Sequence, residues 1–212
     1  MRKLPIYILL DTSGSMRGQP IQAVDSGMKA LFSALRRDPH ALDSAHVCVI
    51  TFDREARVLL PMTEVSKAEM PAIPPLESSP TNLGEALELM CQLTEKDVIK
   101  TTSEVKGDWL PMAVVMTDGS PSDTQLFETM AKALRDGRYR FSRIIGCAAG
   151  PKAKSDKLKM FATDVVILDM MDSNSFEKFF GWVSQSVGKH SQSTDLSLDQ
   201  LPDPPQEIRI VI

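Results

Sequence analysis

The sequence Ile-Tyr-Ile-Leu-Leu-Asp-Thr-Ser-Gly-Ser at residues 6–15 joins an apolar run to a cluster of short oxygen-bearing side chains. The apolar run is short and uninterrupted, which is typical of a strand buried on both faces. Asp11, Ser13 and Ser15 follow at alternate positions around Gly14. Such oxygens, placed just past the end of a buried strand, can converge on one small hard cation.

The rest of the chain repeats this apolar pattern and alternates it with helical patterns. Between the apolar runs, hydrophobic residues recur at steps of three and four, as in amphipathic helices. This alternation predicts an α/β, doubly wound fold with a mostly parallel central sheet and helices on both faces. Arg57–Met62 follows a charged turn and is expected to form one antiparallel edge strand. The further apolar runs are Val47–Phe52, Met112–Met116, Ile144–Ala149 and Val165–Leu168.

Length, charge and cysteine usage restrict the class of protein. A chain of 212 residues suits one domain, and a net charge of -4 argues against nucleic acid as the partner. The three cysteines include no close pair. They are expected to be buried, reduced thiols, which favours a cytoplasmic location. The apolar start is interrupted by Pro5 and ends at Asp11, so it is interpreted as a first strand, and no segment reaches the length of a membrane span.

Three stretches lie outside this regular pattern. Residues 1–190 are expected to form one domain, and residues 191–212 an extended tail that ends in a β-prone segment. That segment is interpreted either as a loosely attached terminus or as an added edge strand, on this sheet or on a partner. Pro61–Pro80, with five prolines, is expected to run irregularly, and the polar Lys100–Asp108 to be a surface insertion.

Three segments are predicted to meet at one edge of the sheet. They are residues 11–15, residues 81–84 at the start of a helix, and residues 116–120 at the end of a strand. In a doubly wound sheet, ligands bind outside the carboxyl ends of the strands. The segments offer only oxygen donors, a set that suits Mg²⁺ first and Mn²⁺ or Ca²⁺ as alternatives. The predicted metal ligands are Asp11, Ser13, Ser15, Thr81 and Asp118.

These segments resemble the von Willebrand factor A (vWA) domain with its metal-ion-dependent adhesion site. The matching blocks are D-T-S-G-S from Asp11, T-N-L-G-E-A-L from Thr81, and V-V-M-T-D-G ending at Gly119. The resemblance covers about residues 3 to 190 and implies a vWA/Rossmann-like three-layer sandwich. It also implies that all five family ligand positions are present, and that a bound divalent cation docks an acidic group of a protein partner.

Within that family, the chain is most similar to bacterial TerY-type tellurium-resistance proteins. The residues behind this narrower resemblance are the start of the first block, extended through Met16 and Gly18, and the Cys-Ala-Ala-Gly stretch ending at Gly150. It implies a role in a tellurite-resistance or stress-response system. The implied partners are a protein kinase or a PP2C-type phosphatase encoded in the same gene cluster.

Two alternatives to a metal-dependent interaction module stay open, although an enzyme is not the expectation. Asp11 at a strand end resembles the nucleophile of Mg²⁺-dependent phosphoryl-transfer enzymes, but the acid expected two residues later is replaced by Ser13. A structural vWA scaffold without a functional metal is the other alternative. The chain has neither a G-x-x-x-x-G-K-[ST] nor a G-x-G-x-x-G motif, which disfavours a nucleotide-binding enzyme.

Overall fold

Seven strands form one central sheet. The structure, a computed structural model, describes residues 2–73, 79–150, 153–192 and 201–211. The five predicted apolar runs are all strands, and the predicted hairpin partner is a sixth. In chain order the strands are β1 (Leu4–Asp11), β2 (Ala45–Phe52), β3 (Ala56–Glu64), β4 (Met112–Thr117), β5 (Arg143–Ala149), β6 (Asp164–Leu168) and β7 (Ile208–Val211).

The strand order is β3-β2-β1-β4-β5-β6-β7. The five central strands are parallel, and β3 pairs antiparallel with β2 at one edge. β2 and β3 lie on one side of β1 within the sheet, and β4 to β7 lie on the other side. The strand order therefore reverses between β1 and β4. Because Leu10 pairs with Met116, the next residues, Asp11 and Thr117, end their strands at the same level.

The end of the chain forms the other edge of the same sheet. β7 pairs antiparallel with β6 through register pairs that run from Ile208 to Val211. The residues before it also pack onto the domain, since the indole N–H of Trp182 donates to the Pro202 carbonyl at 2.8 Å. Of the interpretations left open for this segment, the edge strand on its own sheet is the one observed.

Helices cover both faces of the sheet, as predicted, and two hydrophobic clusters lie beneath them. On β1, Ile6, Ile8 and Leu10 face one cluster, which lies under the helices α1 (Gln19–Arg37) and α6 (Ser173–Gln192). Tyr7 and Leu9 face the other cluster, which lies under α3 (Leu83–Asp97) and α4 (Thr124–Arg135). This two-sided burial is why β1 has no polar alternation. The helices are α1 (Gln19–Arg37), α2 (Pro39–Ser44), α3 (Leu83–Asp97), α4 (Thr124–Arg135), α5 (Ser155–Leu158) and α6 (Ser173–Gln192).

Local details differ from the sequence interpretation in a few places. The short helices α2 and α5 were not predicted, because four to six residues carry too little periodicity. At the start of α6, the carboxylate of Asp172 accepts a hydrogen bond from the Ser175 N–H at 2.8 Å. All three cysteines are free and buried, as expected. Within the described residues, no helix combines the length and apolar character needed to cross a membrane.

Candidate functional site

Asp11 lies at the carboxyl end of β1 and is only 1% exposed. Its Oδ1 accepts a hydrogen bond from the backbone N–H of Ser13 at 2.8 Å. Its Oδ2 accepts from the hydroxyl of Thr117, at the end of β4, at 2.6 Å. The carboxylate is therefore fixed at the point where the strand order of the sheet reverses, which is where ligands bind in open α/β sheets.

Ser13 and Ser15 extend this group of oxygens toward Asp118. A single 3₁₀ turn at Gly14–Met16 follows Ser13, with Met16 fully buried as its anchor. The Ser13 and Ser15 Oγ atoms lie 3.3 Å apart, and Ser15 donates to the Asp118 Oδ1 at 2.8 Å. Neighbouring oxygens around an octahedral Mg²⁺ with bonds of about 2.1 Å are separated by about 3 Å. The spacing of these side chains fits such an ion.

Thr81 is held against the loop that carries Asp118. Its backbone N–H donates to the Ser122 Oγ at 3.0 Å, and the Ser122 N–H donates to the Thr81 carbonyl at 2.8 Å. A side-chain carbon on Gly119 would lie 3.4 Å from the Thr81 Oγ1. The absence of a side chain at Gly119 thus leaves the threonine hydroxyl room next to Asp118.

The first turn of α3, just after Thr81, is capped by Asp123, the residue that directly precedes α4 on the same face of the sheet. The carboxylate of Asp123 accepts from the backbone N–H groups of Gly84 at 3.1 Å and Glu85 at 2.8 Å. Asp123 directly precedes α4 but caps none of its own amides through its side chain. The loop from Asp118 to Asp123 therefore positions both the Thr81 segment and α3.

Burial makes this site unfavourable for charge when no cation is present. It raises the pKa of Asp11 to about 6, an effect that hydrogen bonds from Ser13 and Thr117 only partly offset and that nearby Asp118 increases. Burial also raises the pKa of Asp118. Among the residues that the structure describes, no lysine or arginine forms an ion pair with either carboxylate. A bound divalent cation would supply the missing positive charge.

The hydroxyl groups are an essential part of this donor set. Within the described ranges, no three His, Cys, Asp or Glu side chains are close enough together to hold a metal ion. A cation here would depend on two carboxylates combined with serine and threonine oxygens. That combination is typical of sites for hard cations rather than for thiolate- or imidazole-bound zinc.

All five predicted residues lie at this one edge of the sheet, but three supporting residues were not predicted. Thr117 directly precedes Asp118 at the end of a predicted strand, and this position could have identified it as a neighbour of Asp11. Ser122 and Asp123 had no such signal. Asp123 looks locally like the cap of its own helix, and its real partners lie 38 and 39 residues away.

The raised pKa of Asp11 predicts a pH-dependent stability of the metal-free protein. The folded pKa is about 6, against about 4 in an unfolded chain. The free energy of unfolding should therefore fall as the pH rises from about 4 to about 6, by at most about 3 kcal/mol, and then level off. Urea denaturation over this range measures it. Asp11→Asn should remove this component of the slope, and an unchanged slope would contradict the assignment.

Removing the carboxylate of Asp123 should destabilise the fold. Asp123→Ala leaves the Gly84 and Glu85 amides without their cap, an effect expected to cost about 1–2 kcal/mol in urea denaturation. Asp123→Asn retains one acceptor oxygen and is the matched control, expected to lose about half as much. Equal stability of the alanine variant and the wild type would show that solvent replaces the cap at no cost.

The fold and the site together define a three-layer α/β domain with a cluster of oxygen donors at the carboxyl ends of its parallel strands. The family model for the von Willebrand factor type A domain matches residues 6–181, so the chain belongs to this family. Domains of this family are typically metal-dependent protein-interaction modules. A search of curated proteins gave no significant match.

Solved structures with low sequence identity share the fold. The pilus adhesin SpaC of Lactobacillus rhamnosus GG is similar with a TM-score of 0.69 at 13% identity, covering 90% of this chain and 30% of that one. A von Willebrand factor type A protein from Catenulispora acidiphila reaches a TM-score of 0.61 at 17% identity, covering 89% and 43%. Mussel byssus proximal thread matrix protein 1, with a zinc-occupied MIDAS motif, reaches 0.56 at 11%, covering 88% and 48%. This chain spans less than half of each.

Proposed function

We propose that Asp11, Ser13, Ser15, Thr81 and Asp118 bind one divalent cation, and that the cation docks an acidic group of a protein partner. The observation that carries the proposal is the convergence of these oxygens around two carboxylates that lack a paired cation. Ser13 to Ser15 and Ser15 to Asp118 are separated by 3.3 and 2.8 Å, which suits adjacent ligands of one ion.

Magnesium is the proposed resident ion, with Mn²⁺ or Ca²⁺ as alternatives. Mg²⁺ takes six oxygen ligands and is usually bound through one or two carboxylates, the number that this site offers, whereas Ca²⁺ takes six to eight ligands at about 2.3–2.6 Å. The mussel protein with zinc in its MIDAS motif makes Zn²⁺ a competitor to include in any binding assay. Titration of the metal-free protein with each of the four ions by calorimetry ranks them.

The cation is proposed to be a docking point because one side of the site faces solvent. Asp11 and Ser13 are buried, whereas Ser15 is exposed and Asp118 is partly exposed. Two carboxylates neutralise a divalent ion, which can still accept a further oxygen from outside. A glutamate or aspartate of a partner supplies that oxygen together with its own charge, and the surrounding loops then determine which partner fits.

The cellular setting proposed for this module is a bacterial tellurite-resistance or stress-response system. It rests on the resemblance of residues 11–18 and 147–150 to TerY-type proteins. In that setting the partner is a protein kinase or a PP2C-type phosphatase, and the module works in the cytoplasm. We further propose residues 1–190 as the vWA domain and residues 191–212 as its C-terminal tail, which ends in the edge strand β7.

Binding of the proposed partners with and without chelator tests this function. The immobilised chain should retain the kinase or phosphatase in Mg²⁺ and release it in EDTA, and the double variant Ser13→Ala, Ser15→Ala should retain neither. Replacing the partner's docking glutamate or aspartate by its amide should also abolish binding. Retention that survives both EDTA and Asp11→Ala would exclude metal-mediated docking.

The two remaining alternatives, a phosphoryl-transfer enzyme and a structural scaffold, predict different results in assays of the same purified protein. A phosphoryl-transfer enzyme would hydrolyse a phosphate ester in Mg²⁺ and lose that activity in Asp11→Asn. The serine at position 13 leaves no acid two residues after Asp11, which disfavours this chemistry. A structural scaffold would bind no divalent cation in calorimetry, so a flat titration with all four ions would support it.

A further inference from the structure

A concave site lies at the amino-terminal ends of the parallel strands, at the other end of the strands from Asp11. The segments that precede β1, β4 and β5 meet the carboxyl-terminal end of α3 there, around a cavity of about 500 Å³. This volume lies within the range of about 300–1,000 Å³ found for small-molecule sites. The lining residues that matter below are Arg2, Lys100, Trp109, Arg138, Tyr139 and Arg140.

The cavity is rich in positive charge, although the chain as a whole carries a net charge of -4. Four cationic side chains line it, against the two acids Glu95 and Asp108. The carboxylate of Asp108 is held by backbone groups, because its two oxygens accept hydrogen bonds from the N–H groups of Lys3 and Ile99, each at 3.0 Å. In the described part of the chain, none of the four cations forms an ion pair with a carboxylate.

Aromatic side chains stand beside these cations. The guanidinium of Arg2 stacks on the ring of Trp109 with 3.8 Å between the Arg2 Cζ and the ring centroid. The Arg2 Nε also donates to the Gly107 carbonyl at 2.7 Å, so the stacked pair is fixed in place. Tyr139 is half-buried beside Arg138 and Arg140. The site therefore combines fixed aromatic and apolar surface with fork-shaped cationic groups.

We propose that this cavity binds small anions that carry a flat aromatic body. Arginine guanidinium groups bind carboxylate or phosphate through paired hydrogen bonds, and Arg138 and Arg140 are the groups available for this. Arg2 already covers one face of Trp109, so a planar ring would contact the exposed edge of Trp109 and the half-buried Tyr139, as aromatic pairs do in edge-to-face arrangements. The cavity lies at the amino-terminal ends of the strands, whereas Asp11 lies at a carboxyl-terminal end, so this binding does not depend on the proposed cation site.

The two tryptophans of the chain allow a direct test. Trp109 lines the cavity, whereas Trp182 is buried in the cluster under α1 and α6. The full chain, kept in EDTA, is titrated with 2-naphthoate or with AMP while the two indole N–H signals are followed by NMR. We expect the Trp109 signal to shift to saturation and the Trp182 signal to stay in place. Binding of either anion supports the proposal, and a comparison of 2-naphthoate with 2-naphthyl phosphate, which share one ring system, identifies carboxylate or phosphate as the recognised group.

Control ligands and variants decide whether both parts of the ligand are recognised. The neutral amide 2-naphthamide and the small anions acetate and inorganic phosphate should bind at least about 10-fold more weakly, since each lacks one half of the ligand. Arg138→Gln and Arg140→Gln, both at exposed positions, should each weaken binding by about 10-fold. Arg37→Gln removes the same charge from the end of α1, on the other face of the sheet, and should bind like the wild type.

Three results would overturn the proposal. They are an unshifted Trp109 signal with both aromatic anions, equal affinity for 2-naphthoate and its amide, and wild-type affinity in the double variant Arg138→Gln, Arg140→Gln. The first would show that the cavity holds no such ligand. The second and third would show that any binding is non-specific apolar adsorption.

Discussion

Asp11→Asn is expected to weaken divalent-cation binding by about 1,000-fold or more. The variant removes one of two carboxylates and changes almost no volume. A unit charge pair about 4 Å apart at an effective dielectric constant of about 20 is worth about 4 kcal/mol, and a divalent ion at shorter range gains more. A loss of about 4 kcal/mol corresponds to about 1,000-fold in the dissociation constant. Calorimetric titration of the metal-free variant with Mg²⁺ measures the loss.

Two further measurements separate a lost ligand from a damaged fold. Because Asp11 is buried and its pKa is raised, its neutral amide should leave the metal-free protein at least as stable at neutral pH as the wild type. Asp118→Asn, at a partly exposed position, should lose less affinity, since solvent screens its charge. Equal cation affinity in Asp11→Asn and the wild type would remove Asp11 from the site.

The regular part of this fold follows from patterns that lie within single segments. An uninterrupted apolar run such as Ile6–Leu10 predicts a strand covered on both faces, and β1 indeed packs between two hydrophobic clusters. The charged turn after Phe52 likewise predicted the antiparallel edge strand, which the structure extends to Glu64. The five predicted ligand positions lie together because they follow the carboxyl ends of the neighbouring strands β1 and β4 or directly precede α3.

What the sequence did not predict depends on contacts between distant segments. Asp123 caps a helix that begins 40 residues before it, and no local pattern distinguishes this from a cap of its own helix. The stacking of Arg2 on Trp109 joins the segment before β1 to the loop before β4. The cavity beside this pair exists only because the segments before three strands meet the end of α3 there, so neither its shape nor its charge could be predicted from one sequence.

Gly84→Ala is expected to disrupt the packing that supports the candidate site. A methyl group at this second residue of α3 would lie 2.7 Å from the Asp123 Oδ2 and 2.8 Å from the Phe127 Cα, and would overlap the Phe127 backbone nitrogen. Two of these atoms belong to the backbone of α4 and cannot rotate away. Overpacking costs about 1–3 kcal/mol, and we expect the upper end of that range. For a chain of this length, about 3 kcal/mol lowers the melting temperature by about 10 °C.

The same substitution should also weaken cation binding. To accommodate the methyl group, the start of α3 must move away from the start of α4, and this strains the cap from Asp123 and the paired hydrogen bonds between Thr81 and Ser122. Changes in groups that orient metal ligands typically cost about 10- to 100-fold in affinity. Calorimetry below the melting temperature of the variant, with its folded state verified by circular dichroism, measures this loss.

Gly181→Ala is the matched control because it adds the same methyl group to a helix where space is free. No atom lies within 4 Å of the position that a side-chain carbon on Gly181 would occupy in α6. Alanine is favoured over glycine within a helix by about 1 kcal/mol, so this variant should be slightly more stable and should bind the cation like the wild type. If both variants behaved alike, the contact between α3 and α4 would not be what holds Thr81 in the site. A loss confined to Gly84→Ala would show that this contact links the packing of the fold to the cation site.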